Sequence, residues 1–401
     1  YGLEQGDRLL DTLAEWLCAY RKHSGCPVGY FGNDDFFLCL PDRDEEVRGV
    51  YRQLQGCVER NEDGVSFYIA MGICSVDEKV STDCYTLCNY AQIAAAHRRQ
   101  SGGALERFCP EMLKGLKQRQ QLLTELERAF KNEEFCFYLQ PKCNSMTRTI
   151  VGMEALVRWK HPTRGIVSPG SFVPLLEETG LVTQLDLYLW EAVCKTLHCW
   201  KEKGYNMVPV SVNVSIADLT TQNVPEVFDR LVEKYELEPK LLLAEITESM
   251  LAQNLRIVEN TIVGLHSKGF AVLMDDFGSG YSSLNMLKDT SVDGIKLDMK
   301  FIDMNESTKS KGKQIVESVI DMARRLNLPI VAEGVETQEQ VFMLQSMDCL
   351  YTQGYYFYRP MPVEQAEALL AQQASERYWD VEHDLMCRNH KAFTGGLVSE
   401  K

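Results

Sequence analysis

At 401 residues the chain exceeds the usual size of one hydrophobic core, so two domains are expected. Its 45% apolar and 25% charged residues are ordinary for soluble globular protein, and no apolar run approaches the ~20 residues that span a bilayer. A net charge of −15 argues against a DNA-binding protein, which needs a basic footprint, but leaves open a phosphorylated small ligand reached through divalent cations.

The 14 cysteines are scattered without a CxxC pair, which favours a reduced, cytoplasmic compartment and disfavours both a disulfide scaffold and zinc. The chain begins YGLEQGDRLLDTLAEW, an acidic amphipathic helix with neither the basic nor the apolar region of a signal peptide. Lacking an initiator Met, it is expected to be a fragment of a longer protein that upstream segments could anchor to a membrane.

In chain order, a helix from Glu4 to Tyr20 leads to VGYFGNDDFFLCLP, read as two strands joined by a turn at Gly32-Asn33-Asp34. Asn and Asp tolerate positive φ, which suits a hairpin. A helix from Glu45 to Glu59, a strand in VSFYIAMGICSV and a helix from about Asp83 to Arg99 complete a small α/β unit, residues 1–108. Residues 109–133 are charged and helix-favouring, with Met112, Leu113, Leu116, Leu122, Leu123 and Leu126 at helical spacing, and read as a linker helix.

Residues 134–374 hold eight candidate strands: FCFYLQP, IVGMEALVRW, MVPVSVNVS, LLLAEITE, FAVLMDD, VDGIKLD, PIVAEGVE and YTQGYYF. Most intervals carry a helical pattern, as in KQIVESVIDMARRLN, where Ile315, Val319, Ile320, Ala323 and Leu326 are expected on one face. Eight strands in ~240 residues match an α/β fold of the (β/α)8 TIM-barrel type. Residues 375–401 form a peripheral tail.

Within them, six short apolar runs, VGMEAL, VSVNVS, LLLAEITE, FAVLMDD, GIKLD and IVAEGVE, carry acidic, amide or lysine residues at or near their ends: Glu154; Asn213; Glu245 and Glu248; Asp275 and Asp276; Lys296 and Asp298; Glu333 and Glu336. Short apolar runs of this kind read as buried parallel strands, and in a barrel the catalytic groups sit at the strands' C-terminal ends. Glu154, Asn213, Glu245, Asp275, Asp276 and Glu333 would form a ring of hard oxygen ligands suited to two Mg²⁺ or Mn²⁺ ions, which remove the mutual repulsion of the carboxylates and support phosphoryl displacement. Lys296 would orient water or neutralise developing charge. Taken alone, Glu248 reads as a helix cap or surface pair. FGSGYSSL, with Gly278, Ser279, Gly280, Ser282 and Ser283, reads as a mobile loop beside the metals, since it lacks the lysine and spacing of a P-loop. A sugar-phosphate barrel enzyme is disfavoured, because IVAEGVET and YTQGYYF offer no glycine-rich phosphate cradle.

Together these motifs resemble the EAL phosphodiesterase family, which hydrolyses cyclic di-GMP to linear pGpG. The resemblance covers residues 118–372 and rests on QPK, GMEALVRW, SVNVS, EITES, DDFGSGYSSL, GIKLD, AEGVET and QGYYF. It implies that Glu154, Asn213, Glu245, Asp275, Asp276 and Glu333 ligate two Mg²⁺ or Mn²⁺ ions, with Ca²⁺ binding but inhibitory. It implies catalytic roles for Lys296, Glu333 and Glu154, Lys296 holding the water. It further implies substrate contacts by Gln140, Leu156, Arg158, Asp298, Gln353 and Glu336, an anchoring role for Glu248 on the loop after the aspartates, and a homodimer. The alternative it leaves open is a catalytically silent receptor that binds cyclic di-GMP and signals by conformation.

The first unit resembles a degenerate GGDEF (diguanylate cyclase) domain. Its signature stretch is FGNDDF, with Asn33 where the second glycine stands and Asp35 where the family has Glu. The strand supplying the family's other metal-binding Asp would precede Tyr1, and HSGC replaces the inhibitory motif. The resemblance implies a regulatory domain without cyclase activity, with GTP as a possible ligand.

Overall fold

The computed structural model describes residues 3–32, 34–59, 68–76, 83–101, 105–278, 290–299 and 309–375. The chain divides into two compact units, 1–124 and 125–401. Among the described residues no helix is long and apolar enough to cross a membrane.

In the first unit, α1 (Leu3–Ser24) precedes a hairpin of β1 (Val28–Gly32) and β2 (Asp35–Leu38). The expected turn forms, with Gly32 and Asp34 both at positive φ (+87° and +67°). Helix α2 (Asp44–Glu59) packs Val50 and Leu54 against Leu17 of α1, with Trp16, Val28 and Phe36 around them. Strand β3 (Met71–Ile73), helix α3 (Cys84–Ser101) and strand β4 (Leu105–Arg107) form a β-α-β unit with parallel strands. Residues 60–67, which include Val65, Ser66 and Phe67 at the start of the strand expected in VSFYIAMGICSV, lie outside the described residues. Strand β4 corrects the sequence reading, which assigned no strand there: Leu105, Glu106 and Arg107 look helical locally, but β3 offers an open edge to pair with. Helix α4 (Pro110–Lys131) follows as expected, and the division between the units falls within it.

The second unit is a closed barrel of eight strands: β5 (Phe135–Asn144), β6 (Ile150–His161), β8 (Val210–Asn213), β9 (Leu242–Thr247), β10 (Ala271–Phe277), β11 (Gly294–Asp298), β12 (Ile330–Glu333) and β13 (Tyr351–Gln353). From β6 to β13 all neighbours are parallel. Strand β5 is reversed, pairing antiparallel with both β6 and β13 to close the ring. The strict β/α alternation of a TIM barrel is therefore broken at its first step, where a tight connection replaces a crossover helix. Two short strands, β7 (Gly165–Val167) and β14 (Met361–Pro362), extend β6 and β5.

Helices α5 (Val173–Thr179), α6 (Val182–Glu202), α7 (Ile216–Thr221), α8 (Val224–Lys234), α9 (Glu248–Ser267), α10 (Lys309–Arg325), α11 (Gln338–Ser346) and α12 (Val363–Ser375) follow in sequence. The sheet's outer face and the helices share one core, including fully buried Trp190, Trp200 and Phe228. On α10 the buried stripe is Val316, Ile320 and Ala323, whereas Ile315 and Leu326 are about half exposed. Ile320 and Ala323 are buried and Val319 packs against the core as expected, whereas Val316 takes the place expected of Ile315, because an i, i+4 apolar spacing fits both and only the sheet beneath selects between them. Strand β13 also stops at Gln353, short of the expected YTQGYYF.

Candidate active site

Alternation along the strands decides which side chains meet inside the barrel. In register, Asn213 lies beside Glu245, Glu245 beside Leu273, Asp298 beside Glu333, and Glu333 beside Gln353, so each pair shares a face. Glu154 is paired with Gln140 across β5 and β6. It does not end its strand, as the sequence suggested: β6 runs seven residues further as a ribbon with β5 and β7. Parallel pairing to β8 reaches only Glu154, so the residue still marks the rim of the closed barrel.

The aspartate pair has a specific backbone origin. Between Met274 and Phe277 the register of β10 on β11 shifts, with Met274 opposite Ile295 and Phe277 opposite Leu297. One extra residue is thus accommodated in a bulge, and Asp276 takes positive φ (+53°). Asp275 is buried and Asp276 exposed, with the Asp276 N–H donating to Asp275 Oδ1 at 2.8 Å.

At the centre stands Lys296, 1% exposed. Its Nζ lies 2.6 Å from Glu245 Oε2, 2.7 Å from Glu333 Oε1, and 3.2 Å from both Glu154 Oε2 and Asp275 Oδ1. The Glu333 contact is an ion pair without hydrogen-bond alignment, leaving that buried oxygen unbonded. Carboxylate oxygens of Glu154, Glu245 and Asp275 lie within 4.8 Å of one another, the one such group among the described residues.

Around this centre the supports are short and specific. Gln353 Nε2 donates to Glu154 Oε2 at 2.6 Å and to Gln140 Oε1 at 3.2 Å, while Gln140 donates to the Tyr358 carbonyl. Asn213 Nδ2 approaches Glu154 Oε1 at 3.5 Å, and the Trp190 indole N–H donates to the Asn213 carbonyl. Glu248, buried at the first residue of α9, accepts from Gly278 N–H at 2.7 Å. Gly278 begins the loop read from the sequence; Ser279, Gly280, Ser282 and Ser283 lie outside the described residues.

Of the expected substrate contacts, Leu156 and Arg158 follow Glu154 on the same face of β6, climbing away from the cluster. At about 3.3 Å per residue, Arg158 stands roughly 13 Å along the strand. Its guanidinium lies over the Tyr138 ring at 5.4 Å, and burial lowers its pKa. Asp298 sits two residues past Lys296, half-buried beside Glu333. Glu336 is exposed beyond β12, where its N–H donates to Gln340 Oε1 at the cap of α11.

Electrostatics follow from this packing. Burial works against the Lys296 ammonium, but Glu154, Glu245, Glu333 and Asp275 hold its pKa well above the usual lysine range. Burial and neighbouring carboxylates raise Glu154 and Asp275, and burial foremost pushes Glu333 to about 8. For Glu245 burial acts upward too, yet Lys142 and Lys296 outweigh it and bring the carboxyl down to about 2. Lys142 was missed in the sequence: buried in β5, it donates to Glu245 Oε1 and Ser211 Oγ, each at 2.7 Å. The available signal was a lysine set between apolar residues of a strand. Three buried carboxylates and the partly exposed Glu333 thus face two ammonium groups, an excess of acidic over basic groups that a hard divalent cation would relieve. The oxygen donor set fits Mg²⁺ or Mn²⁺.

Comparison with known proteins agrees with this geometry. The EAL domain sequence model matches residues 123–360.

The chain belongs to the EAL domain family.

Its curated relatives include the signaling protein YkoW of Bacillus subtilis, 30% identical over 385 residues, which span 94% of this chain and 47% of YkoW. The bifunctional diguanylate cyclase/cyclic di-GMP phosphodiesterase MucR of Pseudomonas aeruginosa is 30% identical over 381 residues, 92% of this chain and 55% of MucR. The chain therefore spans about half the length of these relatives. Among solved structures, the PaMucR phosphodiesterase in complex with c-di-GMP is 34% identical with a TM-score of 0.58, covering 61% of this chain and 99% of that one. The EAL enzyme Bd1971, bound to cAMP and cyclic-di-GMP, is 27% identical with a TM-score of 0.60, covering 73% and 78%.

Proposed function

We propose that the barrel hydrolyses cyclic di-GMP to linear pGpG, using two Mg²⁺ or Mn²⁺ ions held by Glu154, Asn213, Glu245, Asp275, Asp276 and Glu333. The observation that carries this reading is the Lys296 ammonium within 3.2 Å of four carboxylates at one end of the barrel. When bound, the ions would supply Lewis-acid stabilisation of the charge that develops on the phosphate. The protein's own part is positioning. Lys296 orients the attacking water and holds its proton-bearing nitrogen among the ligands. Gln353 and Asn213 fix the Glu154 carboxylate from two sides. Arg158, Gln140 and Leu156 line the substrate along the extended β5–β6 ribbon, with Asp298 at the end of β11, and Arg158 meets a phosphate. The cyclic di-GMP phosphodiesterase activity in MucR's name and the c-di-GMP complex of its solved domain support the substrate assignment.

The same reading makes residues 1–108 a degenerate GGDEF-like regulatory domain, 109–133 its linker and 134–374 the phosphodiesterase barrel. The MucR alignment spans 92% of the chain and so extends into the first unit. Asn33 and Asp35 stand where cyclase chemistry needs Gly and Glu, so this unit is regulatory and not a cyclase, within a cytoplasmic homodimer.

Incubation with cyclic di-GMP and Mn²⁺, followed by nucleotide chromatography, tests the reading. Product pGpG is expected, lost in Glu154→Ala and Lys296→Ala, with Ca²⁺ supporting binding but little turnover. Tight binding without product in Mn²⁺ would instead make the barrel a receptor.

A further inference from the structure

Four cysteines outside the barrel converge at one end of the first unit. Cys39 directly follows β2, Cys74 directly follows β3, and Cys84 and Cys88 stand one turn apart at the start of α3. Three contacts bring these segments together. Gly72 of β3 lies so close under α3 that a Cβ there would stand 1.8 Å from the Ala91 carbonyl oxygen and 2.5 Å from the Ala95 nitrogen. Because α3 crosses back between the parallel β3 and β4, the step from Gly72 to Cys74 leads toward the start of the helix. Gln92 Nε2 donates to Asp35 Oδ2 at 2.7 Å, which sets β2 against the same helix. Arg107 Nη1 donates to Ser75 Oγ at 2.7 Å and to Asp42 Oδ1 at 2.8 Å, tying the chain just past Cys74 to the chain just past Cys39.

Among the described residues, no three of these sulfurs lie within 4.8 Å of one another, so the arrangement favours pairwise thiol chemistry over a shared metal ion. Cys84 is exposed and Cys88 partly buried. Burial first, then the thiols of Cys84, Cys39 and Cys74, raise the pKa of Cys88. An exposed thiol beside a partly buried, protonated one is the arrangement of an attacking and a resolving cysteine.

We propose that Cys84 and Cys88 form a reversible disulfide in response to hydrogen peroxide, a modification site separate from the barrel chemistry. The Cys84 sulfur attacks the peroxide O–O bond, giving a sulfenic acid and one water. The Cys88 sulfur then displaces the sulfenic hydroxyl, which leaves with the thiol proton as a second water. Two electrons pass from the two sulfurs to the peroxide, and a dithiol reductant returns them by exchange. In an intact helix, Cβ atoms four residues apart are separated by about 5–6 Å, whereas a disulfide needs roughly 3.5–4.5 Å. Closure therefore opens the first turn of α3, where Cys84 is the first residue and Asp83 accepts from the Thr86 N–H at 2.9 Å and its hydroxyl at 2.6 Å. Strain of this kind makes a disulfide labile, which suits a switch. Gln92 stands one turn past Cys88, so the segment that opens adjoins the side chain that holds Asp35 of the signature turn.

The test uses the full chain, reduced, freed of reductant, exposed to hydrogen peroxide, then alkylated and digested with trypsin. Both cysteines fall in one peptide, residues 80–98. That peptide is expected to lose two hydrogens and escape alkylation at least tenfold faster than the exposed Cys18 and Cys199 oxidise, and to recover both thiols in dithiothreitol. In Cys88→Ser, a sulfenic acid trapped by dimedone is expected on Cys84; absence of that label would overturn the assigned order. Amide exchange at residues 86–89 is expected to be at least tenfold faster in the oxidised chain than in the reduced one. Oxidation of Cys18 and Cys199 at an equal rate, or a cross-link from Cys88 to Cys39 or Cys74, would overturn the inference. So would unchanged amide exchange, since the pair does not close within an intact turn.

Discussion

Glu248 and Gly278 are thirty residues apart in sequence, yet the Glu248 carboxylate accepts the Gly278 N–H at 2.7 Å. The first residue of α9 thus holds the chain where it leaves the aspartate bulge of β10. Glu248→Ala is expected to lower turnover of cyclic di-GMP on the order of 10–100-fold, as loss of an outer support does, with cation affinity changed less than threefold. Parallel measurement of kcat and of Mn²⁺ binding checks this; an unchanged kcat would deny the anchor any part in activity.

Ion binding should register as stability, because the folded site alone brings the ligands together. At a free Mg²⁺ concentration about a hundredfold above Kd, the gain is about 2.7 kcal/mol, or about 5 °C or more in thermal midpoint. Glu154→Ala should abolish that shift, since Glu154 belongs to the three-carboxylate group. Differential scanning calorimetry with and without Mg²⁺ decides, and an equal shift in the variant would exclude Glu154 as a ligand.

A pH effect is expected away from the barrel's interior. Asp186 on α6 is buried; burial first, then the nearby Asp218 carboxyl, raise its pKa from 3.8 to about 9. The folded protein therefore keeps a proton that the unfolded chain releases, and stability from this group is lost as pH rises from about 4 to about 9. Asp186→Asn preserves a donor but removes the titration. Its stability relative to the native chain should increase with pH across that window by roughly 1 kcal/mol per unit. Urea unfolding from pH 5 to 9 measures it, and parallel profiles would show that Asp186 does not hold the proton.

Gly354 follows Gln353, and a Cβ there would lie 2.1 Å from the Val335 carbonyl oxygen and 2.4 Å from its nitrogen. The backbone after β12 passes directly over that position, with Val335 N–H donating to the Gln353 carbonyl. Gly354→Ala should cost about 3 kcal/mol through forced displacement and weaken ion binding by moving Gln353 off Glu154. Stability and Mn²⁺ affinity measured together test both halves; a native-like variant would mean the loop yields freely.

Much of the barrel was legible along the chain because its parallel strands are nearly continuous apolar runs separated by helices. The rim residues were legible because an acid at the end of such a run has few structural uses. Less visible was anything that depends on which strands become neighbours. The reversal of β5 is set by a tight connection and by pairing with β13, some 200 residues away. Lys142 looked like part of a short motif until that reversal put it beneath Glu245. On α10 the centre of the face was legible but its margins, Ile315 and Leu326, were not, since periodicity alone does not say where the sheet lies.

The sequence by itself determined the eight barrel strands in outline, the candidate oxygen-bearing residues and the family, because these depend on residue type and order. Tertiary structure alone decided how the charges are shared: Lys296 among four carboxylates, Glu245 between two lysines, and the bulge that accommodates both aspartates. Register and strand direction control those distances to a fraction of an ångström, and at such separations in a buried site they govern the electrostatics.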